Sequence, residues 1–170
     1  MLTHHLLDSL SVMPFLLGAT ARGTVRLMDV GSGAGLPGIP LALAWPDWVV
    51  HLVEPVGKKA AFLRQCAIEL GLTERLTVHA EAVARVIPLA PQHIICRAFA
   101  SLHDYVTAID AQATTESRVW AMKGRYPDEE LAALPAPWRM VGAHSIVVPG
   151  LDAQRHLIEL SRTPRQPPEQ

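Results

Sequence analysis

Short apolar runs alternate with longer stretches of mixed polarity along most of the chain. The apolar runs are rich in valine, leucine and isoleucine, as expected of strands buried on both faces of a parallel sheet. The predicted strands are Val25–Val30, Trp48–Val53, Leu76–His79, His93–Cys96 and Arg118–Met122. The stretches between them predict helices over about Ile39–Trp45, Gly57–Leu70, Leu102–Ala111 and Pro127–Leu134. This alternation predicts an α/β fold with a mostly parallel sheet.

The start of the chain predicts a separate helix. Leu6, Leu7 and Leu10 fall on one helical face, and Pro14 interrupts the pattern. We expect this helix to cover one edge of the sheet.

The end of the chain changes character. Trp138–Val148 and Arg155–Leu160 are rich in β-forming residues and are separated by a turn, which predicts an antiparallel hairpin at one edge of the sheet. Residues 1–162 are therefore predicted to form a single domain. The proline-rich residues 163–170 are predicted to be a tail without fixed structure.

Composition excludes several classes of protein. The chain has 170 residues and 49% hydrophobic content, which is enough for one well-packed domain. No stretch approaches the roughly 18 uninterrupted apolar residues of a membrane helix, and no secretory leader is visible. A formal net charge of −1 argues against coating of nucleic acid by bulk electrostatics but allows a local basic patch.

The thiols and imidazoles indicate neither a disulfide nor a metal site. Cys66 and Cys96 fall in a predicted helix and a predicted strand, where buried thiols are expected. Reduced thiols suit a cytoplasmic protein. The histidines lack the spacing of metal ligands, so no metal is expected.

The strand Val25–Val30 ends in an acid and leads into a glycine-rich turn over Gly31–Gly38. Glycines let the backbone turn tightly and let a ligand lie against bare main chain. Residues 33–38 match Gly-x-Gly-x-x-Gly, the dinucleotide fingerprint. In that fingerprint an acidic residue follows about 20 residues later, and Glu54 is at about that spacing. One candidate ligand is therefore a dinucleotide such as NAD.

The acid before the turn favours a different ligand. Asp29 precedes alternating glycines at 31, 33 and 35, and its carboxylate would repel a pyrophosphate but attract a cationic amino-acid group. Pro37 also removes an amide donor from the start of the following helix. A sulfonium nucleoside with an amino-acid tail fits better, with Glu54 accepting hydrogen bonds from its ribose.

Polar residues follow the other predicted strands as well. Arg97 ends the fourth strand, Lys123 ends the fifth, and Glu81 lies just after the third. Because the carboxyl ends of parallel strands meet at one edge of a sheet, we expect these side chains to lie near Asp29 and Glu54. An arginine at the end of an apolar strand needs a partner, for which Asp29, a cofactor carboxylate or an RNA phosphate are candidates.

Several blocks of sequence resemble a known bacterial family. They are His5-Leu6-Leu7-Asp8-Ser9-Leu10, Asp29-Val30-Gly31-Ser32-Gly33-Ala34-Gly35-Leu36-Pro37-Gly38-Ile39-Pro40, Gly57-Lys58-Lys59, Arg97-Ala98-Phe99-Ala100-Ser101-Leu102, Ala121-Met122-Lys123-Gly124 and Leu151-Asp152-x-x-Arg155-His156-Leu157. Together they resemble the ribosomal RNA small subunit methyltransferase G family, also called glucose-inhibited division protein B. The resemblance extends from residue 4 to about residue 160.

This resemblance implies a fold, a cofactor and a reaction. The fold is that of class I S-adenosylmethionine-dependent methyltransferases. The reaction is methyl transfer to N7 of a guanine in small-subunit ribosomal RNA, either as free RNA or in an assembling subunit. Members of the family usually have an additional N-terminal helical segment before the His-Leu-Leu-Asp-Ser block, and this chain opens on that block.

The resemblance also implies which residues form the site. The implied cofactor-binding residues are Asp29, Gly31, Gly33, Leu36, Glu54, Ala82, Val83 and Arg97. The implied RNA-binding residues are Lys58, Lys59 and Lys123. Two positions depart from the family: Glu54 replaces an aspartate, and Val83 replaces an acid that is frequent there.

No general base is expected for this reaction. Guanine N7 has an exposed lone pair and no proton in neutral nucleic acid, so catalysis depends on positioning and electrostatics. We therefore predict no acid–base catalytic residue. Two alternatives stay open on sequence alone: an NAD-dependent oxidoreductase and a non-catalytic relative that binds RNA or the ribosome.

Overall fold

The computed structural model describes residues 2–17 and 24–163, which form alternating strands and helices. In chain order the elements are α1 (Leu2–Leu10), α2 (Met13–Leu17), β1 (Arg26–Val30), α3 (Gly38–Ala44), β2 (Val49–Val53), α4 (Gly57–Glu69), β3 (Leu76–His79), a 3₁₀ turn (Val83–Arg85), β4 (His93–Cys96), α5 (Leu102–Ile109), β5 (Arg118–Lys123), α6 (Asp128–Ala132), β6 (Trp138–Ser145) and β7 (His156–Arg162).

All seven strands belong to one sheet with the order β3-β2-β1-β4-β5-β7-β6. Strands β1 to β5 run parallel, whereas β7 pairs antiparallel with β5 and β6 pairs antiparallel with β7. The predicted parallel sheet and its antiparallel hairpin are therefore confirmed. The last strand lies inside the sheet and β6 forms its edge. The order reverses beside β1, so the carboxyl ends of β1 and β4 flank the switch point where α/β sheets bind ligands.

The central strands β1, β4, β5 and β7 are buried on both faces, whereas the edge strands β3 and β6 are partly exposed. Leu27 and its neighbours on one face pack with α2, α3 and α4, and Met28 and its neighbours on the other face pack with α5. Successive residues of β1 therefore enter opposite cores, because side chains alternate along a strand. This places Asp29 on the face that α3 covers.

The first two helices cover more of the sheet than the predicted edge. Helix α1 packs against α3, and Phe15 of α2 contacts the ring of His144 in β6 at a centroid distance of 4.5 Å. The helical pattern is interrupted between Leu10 and Met13, just before Pro14. Pro14 lies in the first turn of α2, where a proline is tolerated because its missing N–H is not needed.

Thr163, which the sequence assigns to the tail, is attached to the domain. Its N–H and its hydroxyl both donate to the carbonyl of Pro137, at 2.9 and 2.8 Å. The rest of the predicted tail, residues 164–170, lies outside the described residues. The division into one domain and a tail stays a prediction.

Candidate cofactor and RNA site

The glycine turn follows β1 and needs glycine for two different reasons. Gly31, Gly33 and Gly35 have φ values of +73°, +56° and +85°, a region that residues with a side chain rarely adopt. A Cβ at Gly31 would meet no atom within 4 Å, whereas one at Gly35 would clash with the side chain of Ile39. Gly35 is thus required by packing, and Gly31 leaves open space in front of the main chain.

The start of helix α3 has no free amide for a pyrophosphate. Pro37 and Pro40 have no N–H, and the amide of Gly38 donates to Oδ2 of Asp29 at 2.9 Å. The amides of Ile39 and Leu41 donate to backbone carbonyls at 2.8 and 3.1 Å. Because dinucleotide sites bind the pyrophosphate through these amides, the turn is unsuited to NAD in spite of its matching sequence.

Asp29 is fully buried beneath the glycine turn. One carboxylate oxygen, Oδ2, accepts the Gly38 bond, and the other, Oδ1, has no hydrogen-bond partner among the described residues. A buried carboxylate oxygen without a partner is costly in the ligand-free protein. A cationic N–H donor from a ligand would satisfy it.

Burial also changes the protonation of Asp29. Removal from water raises the pKa of its carboxyl group to about 7, although the Gly38 hydrogen bond, the Ser32 hydroxyl and the Arg97 charge oppose the shift. The Ser32 hydroxyl donates to the main-chain carbonyl of Asp29 at 2.9 Å, so it does not take up Oδ1. The carboxyl group therefore titrates near neutral pH. A positive charge placed beside it would favour the ionised form.

Glu54 connects the end of β2 to the glycine turn. Its Oε2 accepts from the amide of Gly33 and its Oε1 from the amide of Val56, both at 2.9 Å. Glu54 is almost buried, at 4% exposure. Each carboxylate oxygen can accept a second hydrogen bond, so these contacts are compatible with the predicted ribose role, which stays a prediction.

Three further predicted cofactor residues lie around this turn. The side chain of Leu36 lines an apolar groove between α1, α3 and α4. Val83 is buried in the core of the sheet, and its carbonyl accepts a bond from Gln112 at 3.4 Å. Ala82 is exposed just before the 3₁₀ turn. A cofactor contact at Val83 would therefore have to use its main chain.

A second cavity lies beyond the ends of β4 and β5, and we call it the rim cavity. Its volume is about 380 Å³ and its charged lining residues are Asp8, Arg97, Lys123 and Arg155. Register places Arg97 two residues beyond Ile95, the partner of Asp29 across the β1–β4 pair. The rim cavity is thus next to the glycine turn.

Arg97 has a partner that the sequence did not suggest. Its Nη1 lies 3.6 Å from Oδ2 of Asp8, a residue of helix α1. Its charge also acts on Asp29, one of the three partners expected, and the other two stay predictions. Asp8 also accepts a hydrogen bond from Nε of Arg155 at 3.2 Å. Both Asp8 and Arg155 belong to the blocks that resemble the family, and that was the only indication of their importance in the sequence.

Lys123 is predicted to bind RNA, but it is already paired in this structure. Its ammonium group lies 2.8 and 3.0 Å from the two carboxylate oxygens of Glu130 in α6. The side chain is only 14% exposed. Its role in RNA binding stays a prediction. To bind a phosphate, the ammonium group would have to leave Glu130 or contact both groups at once.

Lys58 and Lys59 lie on the exposed first turn of α4, beyond the carboxyl end of β2. Neither ammonium group has an ion pair or hydrogen bond with the described part of the chain. Both lysines are beyond the carboxyl ends of the strands, as the glycine turn is, and unpaired ammonium groups there can contact phosphates. Their assignment to RNA stays a prediction.

The residues around the turn fit S-adenosylmethionine. Asp29 offers an unpartnered buried oxygen for an ammonium group, and the backbone at Gly31 leaves space where a larger residue would have a side chain. The fit concerns the amino-acid end of the cofactor most directly, because only that end is a hydrogen-bonding cation.

Neither a metal cluster nor a membrane helix is found among the described residues. Within residues 2–17 and 24–163, no three histidine, cysteine, aspartate or glutamate side chains are grouped so that they could bind a metal ion. No helix in those ranges is long and apolar enough to cross a membrane. Cys66 and Cys96 are both free thiols, as expected, and Cys96 is buried.

Comparison with known proteins identifies the family. The model of the family described as GidB, rRNA small subunit methyltransferase G, matches residues 1–158. A relative named ribosomal RNA small subunit methyltransferase G from Azoarcus sp. is 47% identical, with 95% of this chain and 74% of the relative covered. The protein of that name from Aromatoleum aromaticum is 51% identical over 94% of this chain and 75% of its own.

Solved structures agree with the fold. TrmN from Thermus thermophilus superposes with a TM-score of 0.70 at 21% identity, over 89% of this chain and 48% of its own. Magnesium protoporphyrin IX methyltransferase from Synechocystis, solved with bound SAM, superposes with a TM-score of 0.67 at 17% identity, over 94% and 80%. At these identities the similarity shows the architecture alone.

The predicted fold and family are thus confirmed, and the glycine turn gives no support to the oxidoreductase alternative. The chain has the class I S-adenosylmethionine-dependent methyltransferase fold and belongs to the rRNA small subunit methyltransferase G family.

Proposed function

We propose that this protein transfers a methyl group from S-adenosylmethionine to N7 of a guanine in small-subunit ribosomal RNA. The observation that supports the cofactor is the buried Asp29, whose Oδ1 has no hydrogen-bond partner among the described residues and whose Oδ2 accepts from the Gly38 amide at the start of α3. Family membership supports the RNA substrate.

The cofactor, when bound, supplies a methyl group on a positively charged sulfur. Asp29 binds its ammonium group, Gly31 and Gly33 leave room for it, and Glu54 accepts from its ribose. The main chain at Ala82 and Val83 borders the adenine, Leu36 contacts the cofactor from the turn, and Arg97 completes the cofactor site at the end of β4. These roles are inferred from the position and chemistry of each residue, and each can be tested by substituting that residue.

The RNA substrate needs orientation more than activation. The N7 lone pair attacks the methyl carbon as the carbon–sulfur bond breaks, so the positive charge passes from sulfur to the methylated base. No proton is removed in this step, so the reaction needs no general base. Lys58, Lys59 and Lys123 contribute by binding phosphates and so positioning the guanine.

We also propose that the protein acts in the cytoplasm, where its free thiols remain reduced. Its partner is the small-subunit RNA, presented free or in an assembling particle. Comparing the two substrates in the same assay would show which of them is used.

The test uses S-adenosylmethionine with a labelled methyl group and small-subunit RNA or particles that lack the modification. We expect one methyl group per RNA, located by mass spectrometry as N7-methylguanine. Titration calorimetry should detect binding of S-adenosylmethionine and no binding of NAD. Cofactor binding without any methyl transfer would favour a non-catalytic relative, and NAD binding would refute the proposal.

A further inference from the structure

Asp8 joins helix α1 to two arginines of the rim cavity. Its side chain is 9% exposed, with Oδ1 at 3.2 Å from Nε of Arg155 and Oδ2 at 3.6 Å from Nη1 of Arg97. Arg97 lies in the loop after β4 and Arg155 just before β7. One carboxylate therefore sets the relative positions of two guanidinium groups from distant segments.

Both arginines retain donors for a ligand. Arg155 also donates from Nη1 to the carbonyl of Gln154 at 2.8 Å, and its side chain is 29% exposed. Within residues 2–17 and 24–163, Nη2 of Arg155 and both Nε and Nη2 of Arg97 have no hydrogen-bond partner. A guanidinium is a planar group, so the hydrogen bond from Nε to Asp8 fixes the direction of the remaining N–H groups of Arg155. The 3.6 Å ion pair keeps Arg97 beside the same carboxylate.

We propose that Asp8 is a positioning residue for RNA methylation, which orients Arg155 and Arg97 so that the rim cavity binds a phosphate of the RNA beside the target guanine. This inference rests on the proposed function. Lys123 lines the same cavity but is paired with Glu130, so the two arginines provide its available donors. A phosphate, with several acceptor oxygens, matches two guanidinium edges better than a neutral group does.

Charge and orientation make opposite predictions for the substitution Asp8→Asn. Loss of the carboxylate makes the rim cavity more positive, so attraction by charge alone would tighten RNA binding and lower KM for RNA. Loss of orientation would weaken RNA binding in spite of the added positive charge. The sign of the change in KM therefore separates the two.

A purely structural role for Asp8 is tested by a matched variant. Leu7, the preceding residue of α1, packs against the core of the sheet and has no charge. Leu7→Ala should loosen α1 without altering the arginines. If Asp8 only fastens α1, both variants should lose thermal stability and change methylation in the same way.

We expect Asp8→Asn to raise KM for RNA about tenfold, with kcat and the Kd for S-adenosylmethionine changed less than about twofold. The slope of log RNA affinity against log salt should decrease by about one, as for loss of one phosphate contact. Leu7→Ala should leave both KM and the slope near wild type. Asp8→Glu, which keeps the charge on a longer stem, should raise KM less and serves if Asp8→Asn does not fold.

An unchanged or lower KM for Asp8→Asn would overturn the inference, as would an equal rise for Leu7→Ala. If wild-type protein transfers no methyl group, the proposed function fails on its own. RNA affinity and its salt slope, measured by fluorescence anisotropy on wild type, Asp8→Asn and Leu7→Ala, would then still decide the role of Asp8.

Discussion

In the proposed function, Asp29 is the residue that binds the ammonium group of the cofactor. Its pKa of about 7 means that the carboxyl group is partly protonated at neutral pH in the ligand-free protein. The ammonium group of the cofactor requires the carboxylate. Affinity for S-adenosylmethionine should therefore be highest above pH 7. It should fall as pH decreases through 7, by up to about tenfold per pH unit.

Titration calorimetry between pH 5.5 and 7.5 checks this expectation, because an α-amino group stays largely protonated in that range. Binding at pH 6 should also release a proton, seen as a heat that depends on the buffer. Asp29→Asn should bind more weakly at pH 7.5 and show no proton release. A pH-independent affinity in the wild type would contradict this role.

The same pKa affects stability without ligand. The folded carboxyl group binds its proton more tightly than the unfolded one, whose pKa is 3.8. Its contribution to the free energy of unfolding is therefore present below pH 4 and is lost as pH rises towards 7. Asp29→Asn lacks this loss, so its stability relative to wild type should increase over that interval, which chemical denaturation at each pH would measure.

Gly31 allows strain and ligand contact to be separated. Gly31→Ala should cost about 1 kcal/mol of stability because of its positive φ, and Gly31→Asp should in addition abolish cofactor binding by placing a charged side chain in the ligand's path. Thermal unfolding and calorimetry measure the two effects.

Gly71, after helix α4, is the control for Gly31. It has a φ of +66°, and a Cβ added there would likewise meet open space, but it lies away from the glycine turn. Gly71→Ala should lose similar stability and bind the cofactor normally. Unchanged affinity in Gly31→Asp would remove Gly31 from the site.

At the scale of elements, Glu130 links helix α6 to strand β5 and to helix α5. Besides the Lys123 pair, its Oε2 accepts from the amide of Leu102, the first residue of α5, at 2.6 Å. Glu130→Gln should keep an acceptor for that amide but lose the ion pair. We expect a loss of about 1 kcal/mol in stability and a lower KM for RNA, because the Lys123 ammonium becomes free for phosphate.

Thermal unfolding and methylation at varied RNA concentration test Glu130→Gln. Glu129→Gln, an exposed neighbour on α6, is the matched control and should behave as wild type. A higher KM in Glu130→Gln would mean that the ion pair positions Lys123 for RNA instead of withholding it.

The elements themselves were largely predictable from the chain. Strand β4 begins and ends where its apolar run does, because a strand buried on both faces requires an unbroken run. The bounds of β3, a partly exposed edge strand, also match the prediction. Helix ends shifted by a few residues, as at α5, which ends at Ile109, where the sequence predicts about Ala111. Such ends depend on capping contacts and not on apolar periodicity.

The tertiary contacts of the site were not predictable in the same way. Asp29 and Glu54 were identified because they follow strands whose ends must meet. The pairing of Asp8 with Arg155, 147 residues apart, depends on where α1 lies across the sheet, which no local pattern specifies. The ion pair between Lys123 and Glu130 likewise depends on how the short helix α6 packs against the end of β5.

At the scale of the whole molecule, the chain is nearly neutral, but lysines lie beyond the carboxyl ends of the strands, where RNA is proposed to bind. Lys58→Ala should lower RNA methylation and reduce the salt slope of RNA affinity by about one, with cofactor affinity unchanged. Methylation kinetics at two salt concentrations, with calorimetry for the cofactor, measure this.

Arg139 provides the control for Lys58. It is exposed on β6 and pairs in register with Ser161, at the opposite end of the sheet from the glycine turn. Arg139→Ala should leave methylation and its salt dependence intact. An equal effect of both substitutions would indicate diffuse attraction of RNA, and loss of cofactor affinity in Lys58→Ala would remove Lys58 from the RNA surface.

The position of β7 between β5 and β6 has a consequence for biosynthesis. Until residues 156–162 have left the ribosome, β5 has an unpaired edge and β6 has no neighbour to join. A chain stalled before β7 therefore exposes β5 as an aggregation-prone edge strand.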